Sequence, residues 1–208
     1  MRRFQHDTSM VPSFSREIDG VGLFQLLPLR IPDHMPLIHE WVTQDYARYW
    51  GMQEASLELV TSFYQQLQDS KDMDAYLGFH DGAPAFLLEC YKPDGAPVAR
   101  HYRVEKGDHG MHFLVAPAET PIPNFTFSVM TVIMEFLFND ANCDRVVVEP
   151  DIRNSKIHKL NRRVGFAYER VIELPEKTAY LAFCTREQFN HALQTQYTQG
   201  EAHNECCN

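Results

Sequence analysis

One histidine and one aspartate fall at positions where they could act together as an acid–base pair. The run His109–Pro117 predicts a strand that carries His112 on one face, because side chains alternate across a strand. Arg145–Glu149 predicts a second, parallel strand, and Asp151 follows its carboxyl end. An imidazole there can accept a proton near neutral pH while a carboxylate orients it. The alternative for His112 is a buried, hydrogen-bonded histidine without a chemical role.

The spacing of the histidines and cysteines does not favour metal or thiol chemistry. His101, His109 and His112 lack a cysteine or carboxylate at the spacing of a zinc site, so we expect no metal ion. The five cysteines are an odd number without a CxxC pair, which predicts free thiols in a reducing cytoplasm. Three of them lie in or beside apolar stretches, where a thiol usually packs as a small hydrophobic group.

Basic residues are concentrated in one segment of an acidic chain. The formal net charge is -9, which argues against a nucleic-acid partner because phosphate binding needs a basic surface. No acidic residue occurs between Asp151 and Glu169. The same stretch contains the basic residues Arg153, Lys156, Lys159, Arg162 and Arg163. This segment could hold an anionic ligand, and the alternative is a solvated helix face.

Hydrophobic periodicity and turn residues predict a mixed α/β order of elements. The predicted strands are Gly22–Leu29, Ala75–Phe79, Ala85–Tyr91, His109–Pro117, Arg145–Glu149, Phe166–Leu174 and Thr178–Phe183. The predicted helices cover residues 32–42, 57–68, 125–138, 154–164 and 186–194. Because the fourth and fifth strands are separated by a helix, we expect them to pair in parallel.

Several local signals fix the ends of these elements. Ser56 and Thr185 are predicted N-caps, since a side-chain hydroxyl can accept from a free N–H of the first turn. Leu59, Phe63 and Leu67 are predicted to share one face of the helix that follows Ser56. The Asp-Gly pair in the turn His80–Pro84 predicts a tight hairpin.

The two ends of the chain lack an apolar pattern. Residues 1–19 are predicted to be a loosely ordered N-terminal segment and residues 195–208 a flexible C-terminal tail, around one domain at residues 20–194. No apolar run approaches the roughly 20 residues that span a bilayer. We therefore expect a cytoplasmic protein, monomeric or homodimeric, with no membrane or nucleic-acid partner.

The segment Glu149–Phe166, EPDIRNSKIHKLNRRVGF, resembles the motif that closes the acyl-CoA site in the GNAT superfamily. That motif is a strand, an asparagine, a helix with small or aliphatic inward residues, and then Gly-Phe. The matching positions are Asn154, Ile157, Leu160, Asn161, Gly165 and Phe166. The wider set DHGMHFLVAP, EFLF, RVVVEPDIRN and KTAYLAFCTREQF is similar to the acyltransferases of aerobactin, alcaligin and desferrioxamine assembly, which make hydroxamate siderophores.

This resemblance implies a fold, a co-substrate and a site. The implied α/β GNAT fold has a mixed, mostly antiparallel twisted sheet, a central splayed parallel strand pair and flanking helices. The implied co-substrate is acyl-CoA, either acetyl-CoA or succinyl-CoA, with no metal. Its implied contacts are Leu114, Val115, Ala116, Asn124, Phe125, Thr126, Ser128, Asn154, Lys159, Asn161 and Arg163. The implied catalytic pair is His112 and Asp151, in which Asp151 either orients the imidazole or contacts a hydroxylamine substrate.

The chain departs from the usual GNAT pattern at two places. The glycine-rich pyrophosphate loop is replaced by ETPIPNFTF, in which two prolines contribute no N–H donor. The anion must then be held by N–H groups around Asn124 to Phe127, helped by the Thr126 or Ser128 hydroxyl. At Asn161 many members carry a tyrosine that protonates the thiolate, and an amide cannot do so. Asn161 could donate a hydrogen bond to the CoA sulfur or pantetheine, or bond to a backbone carbonyl as a structural partner.

The acceptor side is expected around an aromatic segment. Tyr49 and Trp50, with Glu54 nearby, lie in the part of the GNAT plan that usually covers the acceptor. An aromatic wall with one carboxylate suits an aliphatic amine, although an ordinary aromatic core is the alternative.

Three functions fit these residues. The first is acyl-CoA-dependent N-acylation of an N-hydroxylated diamine or N6-hydroxylysine in siderophore biosynthesis, by direct attack. The second is N-acetylation of an ordinary amine such as an aminoglycoside or polyamine. The third is a catalytically silent GNAT domain that binds acyl-CoA or a protein. The presence of both His112 and Asp151 favours an enzyme.

Overall fold

The computed structural model describes residues 11–118 and 120–205, which contain eight strands and five α-helices. The strands are β1 Phe14–Ile18, β2 Gly22–Pro28, β3 Met73–His80, β4 Ala83–Tyr91, β5 Asp108–Val115, β6 Arg145–Val148, β7 Ala167–Glu173 and β8 Thr178–Thr185. The helices are α1 Met35–Val42, α2 Leu57–Asp69, α3 Phe125–Asn139, α4 Ser155–Arg163 and α5 Arg186–Glu205. Within these residues no helix has the length and apolar character needed to cross a membrane.

The strands form one sheet in the order β1-β2-β3-β4-β5-β6-β8-β7. β5 and β6 pair in parallel, with Asp108–Gly110 opposite Arg145–Val147, and β5 then continues to Val115. The pairs β1–β2, β2–β3, β3–β4, β6–β8 and β7–β8 are antiparallel. The predicted mixed α/β class, with a mostly antiparallel sheet and one splayed parallel pair, is therefore confirmed.

The described residues fall into two compact units, of which the first lies within Met1–Lys92 and Met111–Ile133. Its core joins the inner faces of α1 and α2 to β2, β3 and β4. Ile38 of α1, Val60 of α2 and Leu87 of β4 are all fully buried in this cluster. Burying several such side chains, at about 2 kcal/mol each, is what holds the two helices on the sheet.

The second unit lies within Pro93–Gly110 and Met134–Asn208. Its core contains fully buried Val146 of β6 and Leu181 of β8. Asp108 and Arg145, which are opposite each other in the parallel register, form a bidentate ion pair with Nε–Oδ1 at 2.8 Å and Nη2–Oδ2 at 2.9 Å. Two bonds between planar groups fix both distance and orientation, so this pair sets the register in which β5 and β6 begin.

The buried face of α2 contains only one of the three residues predicted to share an apolar face. Val60, Tyr64 and Leu67 point inward, whereas Leu59 is 61% and Phe63 is 38% exposed. Both sets repeat every three or four residues, so spacing alone could not separate two adjacent stripes of the helix.

Both ends of the chain contain more regular structure than predicted. Residues 14–18 of the expected loose segment form β1, which pairs along its whole length with β2. The pattern missed it because most of its side chains are exposed, as expected for an edge strand. Helix α5 extends to Glu205, beyond the predicted start of the tail at residue 195. Residues 1–10 and 206–208 lie outside the described residues.

The predicted caps and hairpin are confirmed. The Ser56 hydroxyl accepts from the Leu59 N–H at 3.2 Å. Thr185 and Gln188 form a reciprocal capping box, in which the Thr185 hydroxyl accepts from Gln188 N–H and the Gln188 side chain accepts from Thr185 N–H. In the β3–β4 turn, Asp81 and Gly82 have φ of 47° and 78°, as a type I′ hairpin requires.

Acidification is expected to weaken the fold through His34, which is buried just before α1. Its Nδ1 accepts from the backbone N–H of Arg30 at 3.1 Å. Burial, with a smaller contribution from Arg30, lowers the pKa of His34 from 6.5 to about 4. The unfolded chain therefore takes up a proton before the folded one does. This contribution to stability is complete above pH 6.5 and is lost as the pH falls toward about 4.

Over this interval the free energy of unfolding should fall by up to about 3 kcal/mol relative to that of His34→Asn. The asparagine keeps an acceptor for the Arg30 N–H but does not titrate. Urea denaturation of both proteins at several pH values measures the difference. Two stability curves that stay parallel throughout the interval would contradict the role of His34.

Candidate active site

His112 lies on β5 with its imidazole ring directed at a buried carboxylate. Its Nδ1 is 3.3 Å from Oε2 of Glu89 on β4. The Glu89 side chain is only 5% exposed, whereas that of His112 is 38% exposed. The imidazole is therefore anchored at a buried oxygen and remains partly open to solvent.

The other oxygen of Glu89 is held by a tyrosine of α2. The Tyr64 hydroxyl donates to Oε1 of Glu89 at 2.8 Å, and Tyr64 itself is completely buried. Burial, followed by the neighbouring carboxylate, raises the pKa of Tyr64 well above its ordinary value. The phenol thus stays protonated and remains a donor.

These contacts fix the tautomer of His112. An ionised carboxylate can only accept hydrogen bonds, so the nitrogen that faces Glu89 must carry the proton. In the neutral imidazole Nε2 is then the basic nitrogen, as in the buried Asp-His arrangement of serine proteases. The site can take up one proton at Nε2 and stabilise the resulting imidazolium with Glu89.

Aromatic rings surround this imidazole. The Trp50 ring stands edge-on to it with centroids 6.4 Å apart, and the Tyr91 ring lies 5.1 Å away at a tilt of 34°. Of the three predicted acceptor residues, the structure places Trp50 beside His112. Tyr49 instead has the Arg48 guanidinium over its ring at 4.9 Å, and Glu54 is exposed.

Asp151 is bound by a guanidinium. Oδ1 accepts from the backbone N–H and Nε of Arg153, both at 2.8 Å, and Oδ2 accepts from Nη2 at 2.5 Å. Hydrogen bonds from Arg153 lower the pKa of Asp151. The sequence suggested Asp151 as the carboxylate that orients the imidazole of His112. At Nδ1 that carboxylate is Glu89. A buried carboxylate bound in this way is a poor base, but it can still accept a hydrogen bond.

The expected anion-binding loop is only partly open. Asn124 has a left-handed backbone at φ 58°. The Phe125 N–H, expected to be available, already donates to the Ile122 carbonyl at 3.2 Å. Ser128 is 4% exposed, so its hydroxyl lies inside the protein. Thr126 is exposed.

Three residues expected to contact acyl-CoA, Leu114, Val115 and Ala116, lie at the end of β5 and directly after it. Leu114 and Ala116 pack against the core of the first unit, and Val115 is half-buried. The backbone N–H of Ala116 donates to the carbonyl of Ala85 at 2.8 Å. This bond holds the end of β5 against the start of β4.

Some basic side chains along α4 contact other residues of the protein. Lys159 is exposed. Arg163 is half-buried and donates from Nε to Gln196 at 3.1 Å, while Arg162 lies over the Tyr168 ring at 4.4 Å. Asn154 caps α4 by accepting from the Ile157 N–H at 3.4 Å. Lys159 therefore fits an ionic contact with a ligand better than Arg163 does.

Asn161 belongs to a buried hydrogen-bond chain under α4. Its Nδ2 donates to the Tyr168 hydroxyl at 3.1 Å, and that hydroxyl is 3.0 Å from Nδ1 of His158. Nε2 of His158 faces the Ile152 carbonyl at 3.2 Å, so it carries the proton and Nδ1 accepts from Tyr168. Asn161 is 1% exposed, and its Oδ1 has no hydrogen-bond partner within the described residues.

The described thiols do not take part in a site. Cys90, Cys143 and Cys184 are buried and form no disulfide within the described residues, as predicted for small packing residues. Burial raises the pKa of Cys184 to about 12, so its thiolate is scarce near neutral pH. Among the described residues no group of three or more His, Cys, Asp or Glu side chains could hold a metal ion.

Sequence reasoning missed Glu89 and Tyr64. A signal for Glu89 was present, because a single carboxylate interrupts the apolar run of β4 and a buried charge requires partners. Nothing local indicated Tyr64, which lies 25 residues away from Glu89.

The sequence of the chain is similar to those of known proteins. Residues 30–174 match the model of the acetyltransferase (GNAT) domain family. The chain is 28% identical over 180 residues to the N-hydroxyputrescine acetyltransferase of Acinetobacter baumannii, covering 86% of each protein. It is 23% identical to the N(6)-hydroxylysine O-acetyltransferase of Escherichia coli over 72% of this chain, and the match spans 48% of that protein.

Solved structures share the fold. An uncharacterized protein from Bacillus halodurans superimposes with a TM-score of 0.80 at 24% identity, covering 86% of this chain and 93% of that one. The aminoglycoside acetyltransferase AAC(6')-Ib, in complex with paromomycin and acetyl-CoA, superimposes with a TM-score of 0.72 at 19% identity, covering 80% and 96%. At these identities the likeness speaks for the fold alone.

Removing the Tyr168 hydroxyl is expected to destabilise the protein without touching His112. Tyr168→Phe leaves Nδ1 of His158 and Nδ2 of Asn161 without their partner, at a cost of about 1–3 kcal/mol in unfolding free energy. Tyr180→Phe is the matched control: its ring lies in the same cluster, 5.1 Å from that of His158, and its hydroxyl makes no hydrogen bond among the described contacts. Denaturant titrations that show equal losses for both variants would refute this network.

Proposed function

Because the chain belongs to the acetyltransferase (GNAT) family, we propose that it acylates the hydroxylamine nitrogen of an N-hydroxylated diamine or of N6-hydroxylysine. The donor is an acyl-CoA, and the product is a hydroxamate for siderophore biosynthesis. Family membership makes the chain an acyl-CoA-dependent N-acyltransferase. The choice of a hydroxylamine is supported by relatives that are named for N-hydroxyputrescine, N6-hydroxylysine and N5-hydroxyornithine, at 23–28% identity.

The observation that carries the proposal is the imidazole of His112, which can act as a base and is flanked by aromatic side chains. His112 has Glu89 at Nδ1 and the Trp50 and Tyr91 rings beside it. Such a base suits a nitrogen that arrives neutral. An alkylamine, with a pKa of about 10.4, is almost wholly protonated near neutral pH and must first lose a proton. A hydroxylamine is much less basic, so only the proton released during attack has to be removed.

The transfer itself needs one proton acceptor. The hydroxylamine nitrogen attacks the thioester carbonyl, the C–N bond forms and the C–S bond breaks. Nε2 of His112 takes the proton that the nitrogen loses, and Glu89 stabilises the imidazolium. The imidazolium then returns the proton to the thiolate or to water. The Asp151 carboxylate is proposed to accept a hydrogen bond from the substrate hydroxyl.

Residues of the chain fit an acyl-CoA. Thr126 at the exposed start of α3 can donate from its hydroxyl to an anionic group, and exposed Lys159 on α4 supplies a positive charge. Asn161 uses one of the two hydrogens on Nδ2 to donate to Tyr168, and its unpartnered Oδ1 can accept a hydrogen bond from pantetheine. Acetyl-CoA and succinyl-CoA are both proposed donors.

The second candidate is acetylation of an ordinary amine. It is supported by the fold similarity to aminoglycoside acetyltransferase AAC(6')-Ib and spermidine N-acetyltransferase. Exposed Glu54 could attract an ammonium group in that case. A cytoplasmic location and a monomeric or homodimeric state also stay predictions.

Replacing the base is expected to slow turnover without weakening donor binding. His112→Ala should lower kcat by about 10²-fold or more, the scale of general base catalysis, while the KM for acyl-CoA changes little. Coupled CoA-release kinetics measure both constants. As a control, His191→Ala removes an exposed imidazole on α5 and should leave kcat unchanged. Near-wild-type turnover in His112→Ala would remove this residue from the reaction.

The hydroxyl on the acceptor nitrogen is expected to decide the substrate class. We expect kcat/KM for N-hydroxycadaverine to exceed that for cadaverine, and N6-hydroxylysine to exceed lysine, by a large factor at neutral pH. The hydroxyl group raises this ratio in two ways: it lowers the basicity of the nitrogen, and it adds a hydrogen bond to the enzyme. Each pair is measured with acetyl-CoA and with succinyl-CoA at one pH. Equal or better use of the parent amines would replace this function by the ordinary amine acetyltransferase.

A further inference from the structure

We propose that Tyr64 is a positioning residue for acyl transfer, acting through Glu89 to keep Nδ1 of His112 protonated and Nε2 free of a proton. The consequence for rate rests on the proposed function. The consequence for the imidazole concerns the protein without any substrate, so the two can be tested separately.

The geometry is a chain of two hydrogen bonds across a buried carboxylate. Tyr64 on α2 is completely buried and donates to Oε1 of Glu89 at 2.8 Å. Oε2 of the same carboxylate faces Nδ1 of His112 at 3.3 Å. The carboxylate thus lies between one phenol that always donates and one imidazole whose protonation can change.

The Tyr64 hydroxyl matters because it stabilises the ionised form of Glu89. A hydrogen bond to a carboxylate lowers its affinity for protons, and in a buried place this effect is poorly replaced by water. Without the hydroxyl the Glu89–His112 pair binds an additional proton more readily. That proton yields either an imidazolium beside a carboxylate or a carboxylic acid that donates to Nδ1. In both forms Nε2 carries a proton and His112 can no longer act as the base.

Packing does not account for the hydroxyl. Val60 and Leu67, on the same face of α2, already fill the core between the helix and the sheet. A phenylalanine would supply the same ring, whereas a phenol placed at zero exposure costs free energy unless its hydroxyl is bonded. The tyrosine is therefore explained by the polar contacts of its hydroxyl, which donates to Glu89 and is also hydrogen-bonded with Trp50.

The first measurement is the protonation of His112 in the free protein. Long-range ¹H–¹⁵N correlation spectra of protein labelled at its ten histidines distinguish Nδ1–H, Nε2–H and imidazolium, and His112→Gln identifies the signals. At one pH where wild-type His112 is the Nδ1–H form, Tyr64→Phe should show Nε2 protonated in a larger fraction. Tyr76→Phe, which removes a hydroxyl from a half-buried tyrosine of β3, should leave the spectrum unchanged.

The second measurement is turnover at the same pH. Tyr64→Phe should lower kcat by about tenfold, equivalent to about 1.4 kcal/mol, while the KM for acyl-CoA stays within about twofold. A merely structural role would reduce the amount of folded protein without moving the imidazole spectrum. If Tyr64→Phe does not fold, Glu89→Gln carries the test: a neutral amide no longer selects the proton position, so the Nε2–H tautomer should become populated.

The outcomes separate the two proposals. A wild-type His112 spectrum with wild-type kcat in Tyr64→Phe, or a pure Nδ1–H form in Glu89→Gln, would overturn the role of Tyr64 and leave the proposed function standing. The expected spectral change in a protein that acylates no hydroxylamine would support the role of Tyr64 and remove the proposed function.

Discussion

The site depends on one buried carboxylate and the groups that surround it. Glu89 sits inside the first unit, and its two oxygens are shared between the Tyr64 hydroxyl and Nδ1 of His112. A buried charge costs several kcal/mol unless hydrogen bonds compensate it. The hydrogen bond from Tyr64 and the tautomer of His112 both follow from meeting that cost.

Two other buried carboxylates are compensated differently. Asp108 is bound by Arg145, and Asp151 by Arg153, in bidentate geometry. Although burial alone would raise the Asp108 pKa, the hydrogen bonds from Arg145 hold it below its usual range. A carboxylate whose charge is already neutralised by a guanidinium gives little electrostatic stabilisation to a further positive charge. Glu89, paired with neutral donors, can instead stabilise a positive charge that appears on His112 during a reaction.

Much of the fold was predictable from the sequence, because its elements are marked by local chemistry. Caps such as Ser56 and turns such as Asp81-Gly82 act within a few residues, and the helix between β5 and β6 implied a parallel pair. Strand β1 was not predictable, since it is held by backbone bonds and only its first and last residues, Phe14 and Ile18, are half-buried. The inner face of α2 was ambiguous because two adjacent stripes have the same spacing.

The candidate site was predictable only in part. Strand alternation identified His112, but a position after a strand does not reveal which group a carboxylate contacts. The carboxylate of Asp151 accepts hydrogen bonds from Arg153, two residues further along the chain. Its expected place beside the imidazole is filled by Glu89, whose link to Tyr64 joins elements 25 residues apart. Such contacts depend on how a helix packs on a sheet, which periodicity alone does not specify.

The central claim is that the chain forms a carbon–nitrogen bond to a hydroxylamine, and the most direct test is the atom that receives the acyl group. The enzyme would be given N-hydroxycadaverine labelled with ¹⁵N only at its hydroxylamine nitrogen, and acetyl-CoA labelled with ¹³C at the carbonyl. The account predicts a product with a one-bond ¹³C–¹⁵N coupling, which only the N-acylated hydroxamate can show. A product in which the acyl carbon is attached to the oxygen, without that coupling, or no product at all, would contradict it.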